Sequence, residues 1–523
     1  MASLSPLLLF AVILAFSSFR LAVPAPATIG FDFHHRFSGK MRQWAESDDY
    51  RGEWWPEEGT AEYYAALARH DRAHHGRFLA AGDSSMLTFS GGNLTSRLDD
   101  HGLLNYAFVE LGTPKKRFRV ALDTGSDLFW VPCDCKQCAP NNTFNIYSPS
   151  NSTTSKLVPC SSSLCELQSS CSGASSSCPY EVRYLSANTS SSGILVEDVL
   201  YLTTETASPK AVPASVVFGC GRVQTGAFLD AVAPDGLFGL GLNNISIPSI
   251  LSSQGLISNS FSMCFGTDGS GRINFGDKGS SDQSETPFNV DNKKPFYVIS
   301  ITGSRVGNTS FTSGFNAIVD SGTSFTTLAD PIYTQIANSF TDKVTEKRIP
   351  PDPALPFNYC YALRPYQYEL TTPRVSFVTE TESLFKITPP ISLVFDEKGN
   401  PVKYCLAVIK SSNVNIIGRN FMTGLRIVFD RERLVLGWKR VDCYGTESSG
   451  NGNSPPPPPP ATANSALKPS PSGSSINLIR TTIYIIGASV LVLFVVFVTI
   501  SIRRRRRQVE PQPVAPRAFL VFV

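Results

Sequence analysis

Histidine is scarce in this chain and confined to one end. Its six copies stand at 34, 35, 70, 74, 75 and 101, and none follows. A Ser-His-Asp or Cys-His hydrolase needs an imidazole beside its nucleophile, and a zinc hydrolase nearly always takes imidazole ligands. Unless the N-terminal stretch supplies one, these mechanisms are excluded. An excess of charge of one sign is missing as well. The net charge is +3, and setting aside the five arginines 503–507 turns it to −2. No basic face is left for nucleic acid, which is not expected as a partner. The small group Lys115, Lys116, Arg117 and Arg119 reads as a solvated strand edge. Cysteine is absent from residues 28–100, yet twelve follow between 133 and 443. An even count behind a secretory start favours disulfides over free thiols. Cys135-x-x-Cys138 has the form of half a zinc site, but no histidine and no second such pair stand at the right spacing. No metal or other cofactor is expected.

Carboxylates are what the body of the chain does offer, in one pattern used twice. Ala121-Leu122-Asp123-Thr124-Gly125-Ser126 returns as Ile318-Val319-Asp320-Ser321-Gly322-Thr323-Ser324. Each acid ends an apolar run that reads as a buried strand, then come a hydroxyl residue and a Gly that permits a sharp turn. Either tripeptide alone is an ordinary strand-to-turn junction. The pair says more, because each copy has a second partner about a hundred positions on. Asp235-Gly236-Leu237-Phe238-Gly239 follows the first, and Asn415-Ile416-Ile417-Gly418 the second. In each, two apolar residues precede a Gly that lets one strand run close behind another. A duplicated unit with one acid per copy builds a two-acid site on its pseudo-twofold axis.

On these motifs the chain resembles the pepsin-like aspartic proteases, in their plant nepenthesin-type branch, over residues about 100 to 444. Phe129-Trp130-Val131-Pro132 follows the first acid as in that family, Tyr184 leading into Ser192-Gly193-Ile194-Leu195 matches its flap tyrosine, and Phe429-Asp430 with Leu436-Gly437-Trp438 its closing strands. The resemblance implies a mainly β, bilobal fold: two pseudo-twofold-related β lobes, 101–290 and 291–444, with a cleft between them. It implies an aspartic endopeptidase with Asp123 and Asp320 as the catalytic pair. Thr124 and Ser321 would brace the two loops across the axis, beside Gly125 and Gly322, and Ser126 and Thr323 would hold the carboxylates. Tyr184 would close over an extended peptide or protein substrate with Trp130 as its hydrogen-bond partner. Cys360 and Cys405 would form the second-lobe disulfide, and the seven cysteines of 133–178 would staple the branch's cysteine-rich insert. A relative that keeps the fold but binds peptide or inhibits without catalysis is the alternative. A monomer is expected.

The flanks read as address and anchor. Residues 1–27, with an apolar core from Leu7 to Phe16 and the ending Ala25-Pro26-Ala27, form a signal peptide that lacks the usual basic residue before its core. Residues 28–100 stand where the family carries a propeptide, with a helix-like run from Ala61 to Phe78; its His70, His74 and His75 would gain charge on acidification and loosen the segment. A second helix is expected from Ala329-Asp330-Pro331 through Phe340, with Pro at an early position. Sequons stand at Asn93, Asn141, Asn151, Asn188, Asn244 and Asn308. Residues 445–482 are a Pro/Ser-rich spacer with six prolines at 455–460. Ile483 to Ile502 is uncharged and, at about 1.5 Å per residue, long enough to cross about 30 Å of hydrocarbon. Arg503 to Arg507 then place residues 503–523 in the cytoplasm and the lobes outside or in a lumen, at the cell membrane or within the secretory pathway. A GPI-anchor signal after Ser472-Gly473-Ser474 is the competing reading of this end.

Overall fold

The computed structural model describes residues 28–47, 55–68, 71, 105–139, 145–184, 189–204, 210–230, 235–267, 269–290, 296–364, 367 and 370–443. The expected signal peptide, the three helix histidines, the spacer, the apolar span 483–502 and the arginine tail lie outside them. Among the described residues no helix is long and apolar enough to cross a membrane.

Strands dominate, as expected for a mainly β chain. The largest sheet has 14 strands among the described residues. Its centre runs Ser260–Phe265, Ser270–Phe275, Ile29–His35, Asn105–Leu111, Lys116–Asp123, Leu237–Gly239, Trp130–Gln137. An 8-stranded sheet carries the second acid on Phe315–Val319, and a 4-stranded sheet lies beyond it. The closing strands Leu425–Asp430 and Val435–Arg440 leave the second half and pair with each other in the first sheet, where Leu425–Asp430 also pairs with Ser260–Phe265 and Val435–Arg440 with Ser284–Pro287. Phe261 stacks on Phe429 there with ring centroids 4.7 Å apart. Burying two such rings stabilises the junction of the halves by roughly 0.5–1.5 kcal/mol beyond their area.

The N-terminal strand is the least expected element. Ile29–His35 lies between Ser270–Phe275, in a six-residue antiparallel register, and Asn105–Leu111. Ile29 and Phe33 are fully buried in the main core. The alternation in Ile29-Gly30-Phe31-Asp32-Phe33 is that of a strand, but nothing local says which sheet receives it.

The twelve cysteines form six disulfides, with no free thiol. Cys160–Cys171 and Cys165–Cys178 staple the polar insert, Cys133–Cys220 ties its base to a neighbouring strand, and Cys264–Cys443 holds the C-terminal end. Cys360 is bonded to Cys405, and Cys135 to Cys138. The helix near Pro331 spans Ile332–Thr341, so that proline caps it rather than entering it. Asn151, Asn244 and Asn308 are exposed; the other sequons lie outside the described residues.

Candidate active site

Both acids are delivered the same way. Lys116–Asp123 runs parallel to Leu237–Gly239 with Asp123 level with Gly239, and Phe315–Val319 runs parallel to Ile416–Ile417. The loop after each acid must pass directly behind that second strand, and this is where glycine is needed. A Cβ on Gly239 would lie 2.2 Å from the Asp127 carbonyl oxygen, and one on Gly418 2.7 Å from the Phe325 carbonyl carbon.

The two carboxylates are fully buried and carry matching hydrogen bonds. Asp123 Oδ1 accepts from the Gly125 amide at 2.9 Å and Oδ2 from the Ser126 hydroxyl at 2.7 Å. Asp320 Oδ1 accepts from Gly322 at 3.0 Å and Oδ2 from the Thr323 hydroxyl at 2.6 Å. Each acid is thus aimed by one amide and one hydroxyl of its own loop.

The loops touch through Thr124. Its hydroxyl accepts from the Ser321 amide at 3.1 Å and donates to the Val319 carbonyl at 3.5 Å. Asn105 adds a second tie, its amide donating to the Ser321 carbonyl at 3.0 Å. The expected mutual brace is therefore one-sided. Ser321 takes part through its backbone, while its buried hydroxyl has no hydrogen-bond partner among the described residues. A symmetric pair of hydroxyls needs both side chains turned toward the opposite loop, and Asn105 already holds the Ser321 carbonyl from that side. Removing Thr124's hydroxyl as Ala leaves the Ser321 N–H buried and unpaired, at a cost of about 1–3 kcal/mol. Ser321→Ala should change stability by less than about 0.5 kcal/mol. Thermal midpoints of the two variants check the asymmetry, and equal losses would contradict it.

Trp130 is fully buried and packs edge-on against Phe228 at 4.8 Å. Tyr184 ends the strand Pro179–Tyr184, paired with Thr189, and its side chain lies outside the described residues.

Behind each acid a polar residue holds the second strand. Asp235 accepts from the amides of Arg119 and Asn145, both at 2.7 Å; Asn415 accepts from the Ala329 amide at 2.9 Å. Burial pushes the Asp235 carboxyl up to about 6, outweighing those amides and the Arg119 charge. A group protonated more readily when folded contributes stability that is full below its unfolded value and lost as pH rises through about 6. Asp235→Asn, which cannot ionise, should therefore flatten part of the fall in melting temperature between acidic and neutral pH. An unchanged slope would contradict this.

A second buried acid comes from the N-terminal segment. Asp71 is 1% exposed, and its two oxygens accept from the amides of Ser324 at 2.6 Å and Phe325 at 2.7 Å, directly after the second acid's loop. Burial pushes this carboxyl up to about 7 against the pull of those hydrogen bonds, and the charge of Asp320 adds to the rise. Docking therefore takes up a proton, and acidification from neutral pH favours it. That is opposite in sense to the expected loosening by histidines. Neither Asp71 nor Asn105 was readable as a site residue: each is a lone polar residue in an unremarkable run, and only the partner across the fold distinguishes it.

Residues 106–277 match the family model described as xylanase inhibitor N-terminal, and residues 297–440 the one described as xylanase inhibitor C-terminal. The chain is 50% identical over 429 residues to Aspartyl protease family protein 1 of Arabidopsis thaliana, covering 80% of this chain and 82% of that one. It belongs to the pepsin-like aspartyl protease family. Aspartic proteinase-like protein 1 of the same plant is 40% identical across 78% of this chain and 80% of its own. Among solved structures, conglutin gamma, a basic 7S globulin from lupine seeds, aligns with a TM-score of 0.52 at 18% identity, covering 65% of this chain and 92% of that one. The basic 7S globulin of soybean gives 0.52 at 20% identity, with 66% and 92% covered. These two share the family's two-lobed fold with this chain.

Proposed function

We propose that this family member is an active aspartic endopeptidase that hydrolyses peptide bonds with a water held between Asp123 and Asp320. The observation that carries the reading is the matched pair of buried carboxylates, each aimed by one amide and one hydroxyl, on loops joined through Thr124.

With two carboxyls sharing one water, the chemistry needs one ionised member and one protonated member. The ionised member takes a proton from water as its oxygen attacks the scissile carbonyl carbon; the protonated member gives its proton to the carbonyl oxygen. The tetrahedral diol then collapses. Its C–N bond breaks as the newly protonated acid gives its proton to the leaving nitrogen and the other acid takes the proton of one diol hydroxyl, whose oxygen becomes the new carbonyl, so the pair again holds one proton. No covalent intermediate forms, and which acid acts as base is a property of the pair.

The reading extends to a chain entering the secretory pathway by residues 1–27 and anchored by 483–502, with its lobes outside the cytosol; a GPI anchor is the alternative. Glycans are proposed at the sequons.

A second reading keeps the fold and loses the chemistry. Both matching family models carry the name of an inhibitor, and the idle Ser321 hydroxyl departs from a symmetric brace. A transition-state-like peptide inhibitor separates the two. Acid-dependent cleavage of a denatured protein that stops on stoichiometric inhibitor supports the enzyme, whereas binding of the inhibitor with no cleavage at any pH supports an inert peptide binder.

A further inference from the structure

The hydrogen bonds of Asp71 describe a site as much as a contact. The backbone of Ser324 and Phe325 turns two consecutive N–H groups toward one point, and a carboxyl group fills it with one oxygen per amide. A group with two acceptor oxygens side by side matches this pair; a carboxamide offers one acceptor and sets an NH₂ against the other donor. The position follows Asp320-Ser321-Gly322-Thr323 without a gap, so whatever occupies it lies beside the second acid.

Its present occupant belongs to a stretch with a separable attachment. The helical residues 61–68 lie against the second half, where Tyr63, Tyr64 and Leu67 share an apolar cluster with Phe325 and Phe357. The Tyr64 hydroxyl donates to the Leu393 carbonyl at 2.6 Å, and the Ser324 hydroxyl donates to that of Leu67 at 3.3 Å. No disulfide can hold this stretch, since residues 28–100 have no cysteine. A cavity of about 200 Å³ remains between it and the second half, with His35, Tyr64, Ser324, Phe325 and Arg419 in its walls. The cavity borders the two residues whose amides hold Asp71.

We infer that the amides of Ser324 and Phe325 form a carboxyl-binding subsite beside the second acid, filled in cis by Asp71 and opened to an acidic side chain of a peptide when residues 55–71 are displaced. This rests on the reading of the cleft as a peptide site but not on catalysis. Asp71 then acts as a tethered competitor, and the peptides the opened protein prefers carry Asp or Glu at the matching position.

The test uses the full chain carrying Asp123→Asn, so that peptides are bound and not cut, with site-specific protease sequences inserted within residues 48–54 and 81–90, so that after folding the stretch is cut free of both the buried Ile29–His35 strand and the first lobe. A synthetic peptide of residues 55–71 is titrated against the severed protein by fluorescence anisotropy, beside the same peptide with Asp71→Asn. The Asp peptide should bind at least about tenfold more tightly, the loss expected when one of two buried hydrogen bonds is replaced by a mismatched donor. Equal affinities overturn the proposal. In the unsevered chain Asp71→Asn should speed hydrogen exchange at the amides of Ser324 and Phe325, and added acidic peptide should slow it again. Exchange that rises but does not respond to peptide marks Asp71 as structural only and also overturns it. With the catalytic pair intact, one position of a substrate should show a KM about tenfold lower for Asp than for Asn. Selective binding without hydrolysis by that chain supports the subsite and sinks only the protease reading.

Discussion

Asp123→Asn is expected to lower the acid-pH rate of peptide hydrolysis by about 10³-fold or more, with the fold intact. The size follows from general acid–base catalysis, which supplies about 10²–10⁴ when proton transfer in the transition state depends on a placed group. The intact fold follows from local geometry. Asn keeps an oxygen for the Gly125 amide, and its NH₂ faces the Ser126 hydroxyl, which turns to accept instead of donate. Asp320→Asn meets the same surroundings in Gly322 and Thr323 and should lose a similar factor. Because the carboxyls work as a unit, the double variant should be scarcely slower than either single one. Rates on denatured protein, with melting curves to confirm folding, decide the matter. Wild-type cleavage by the Asp123→Asn chain would assign the activity elsewhere and leave the inert reading standing.

Gly239→Ala is expected to damage both stability and activity strongly. Its Cβ would stand 2.2 Å from the Asp127 carbonyl oxygen and 2.3 Å from its carbon, and these are backbone atoms of the loop that carries the first acid. A flexible side chain could swing aside, but a peptide unit moves only if the loop moves. Overpacking of a tight interior costs about 1–3 kcal/mol, and the upper end or beyond is expected where the obstacle is backbone. A protein with a total stability of about 5–15 kcal/mol feels that strongly. The displacement also shifts Asp123, level with Gly239 in the paired strands, so activity should fall further than stability. Gly173→Ala, with no atom within 4 Å of the added carbon, is the control and should be near neutral. Similar melting temperatures and rates for the two variants would refute the close-passage argument.

Asp123→Asn and Gly239→Ala separate chemistry from architecture. One variant preserves shape and removes the proton carrier; the other preserves every titratable group and moves one of them. The buried acids beyond the pair add a condition on both. Asp71 and Asp235 titrate upward, to about 7 and about 6, so both favour the described fold in acid, and any pH profile of activity carries their contribution beside that of the catalytic carboxyls.

What the sequence determined by itself was whatever is local and repeated. The Asp-Thr-Gly-Ser and Asp-Ser-Gly-Thr tetrads, the apolar runs before them and the glycines about a hundred residues later are all short-range patterns, and a duplicated pattern is legible without knowing where either copy lies. The even cysteine count, likewise, predicted disulfides but not partners, since spacing does not reveal which sulfurs meet. Tertiary structure alone decided the rest. It put Ile29–His35 between two strands more than sixty residues away in sequence, made Thr124 and not Ser321 the side-chain brace, and seated Asp71 on the amides of Ser324 and Phe325. The physical reason is common to all three. A strand, a hydroxyl or a carboxyl carries no mark of its partner, because hydrogen-bonding capacity is the same for every residue of its type. Only the packed chain chooses among equivalent donors and acceptors, by bringing one within about 3 Å and burying the pair away from water.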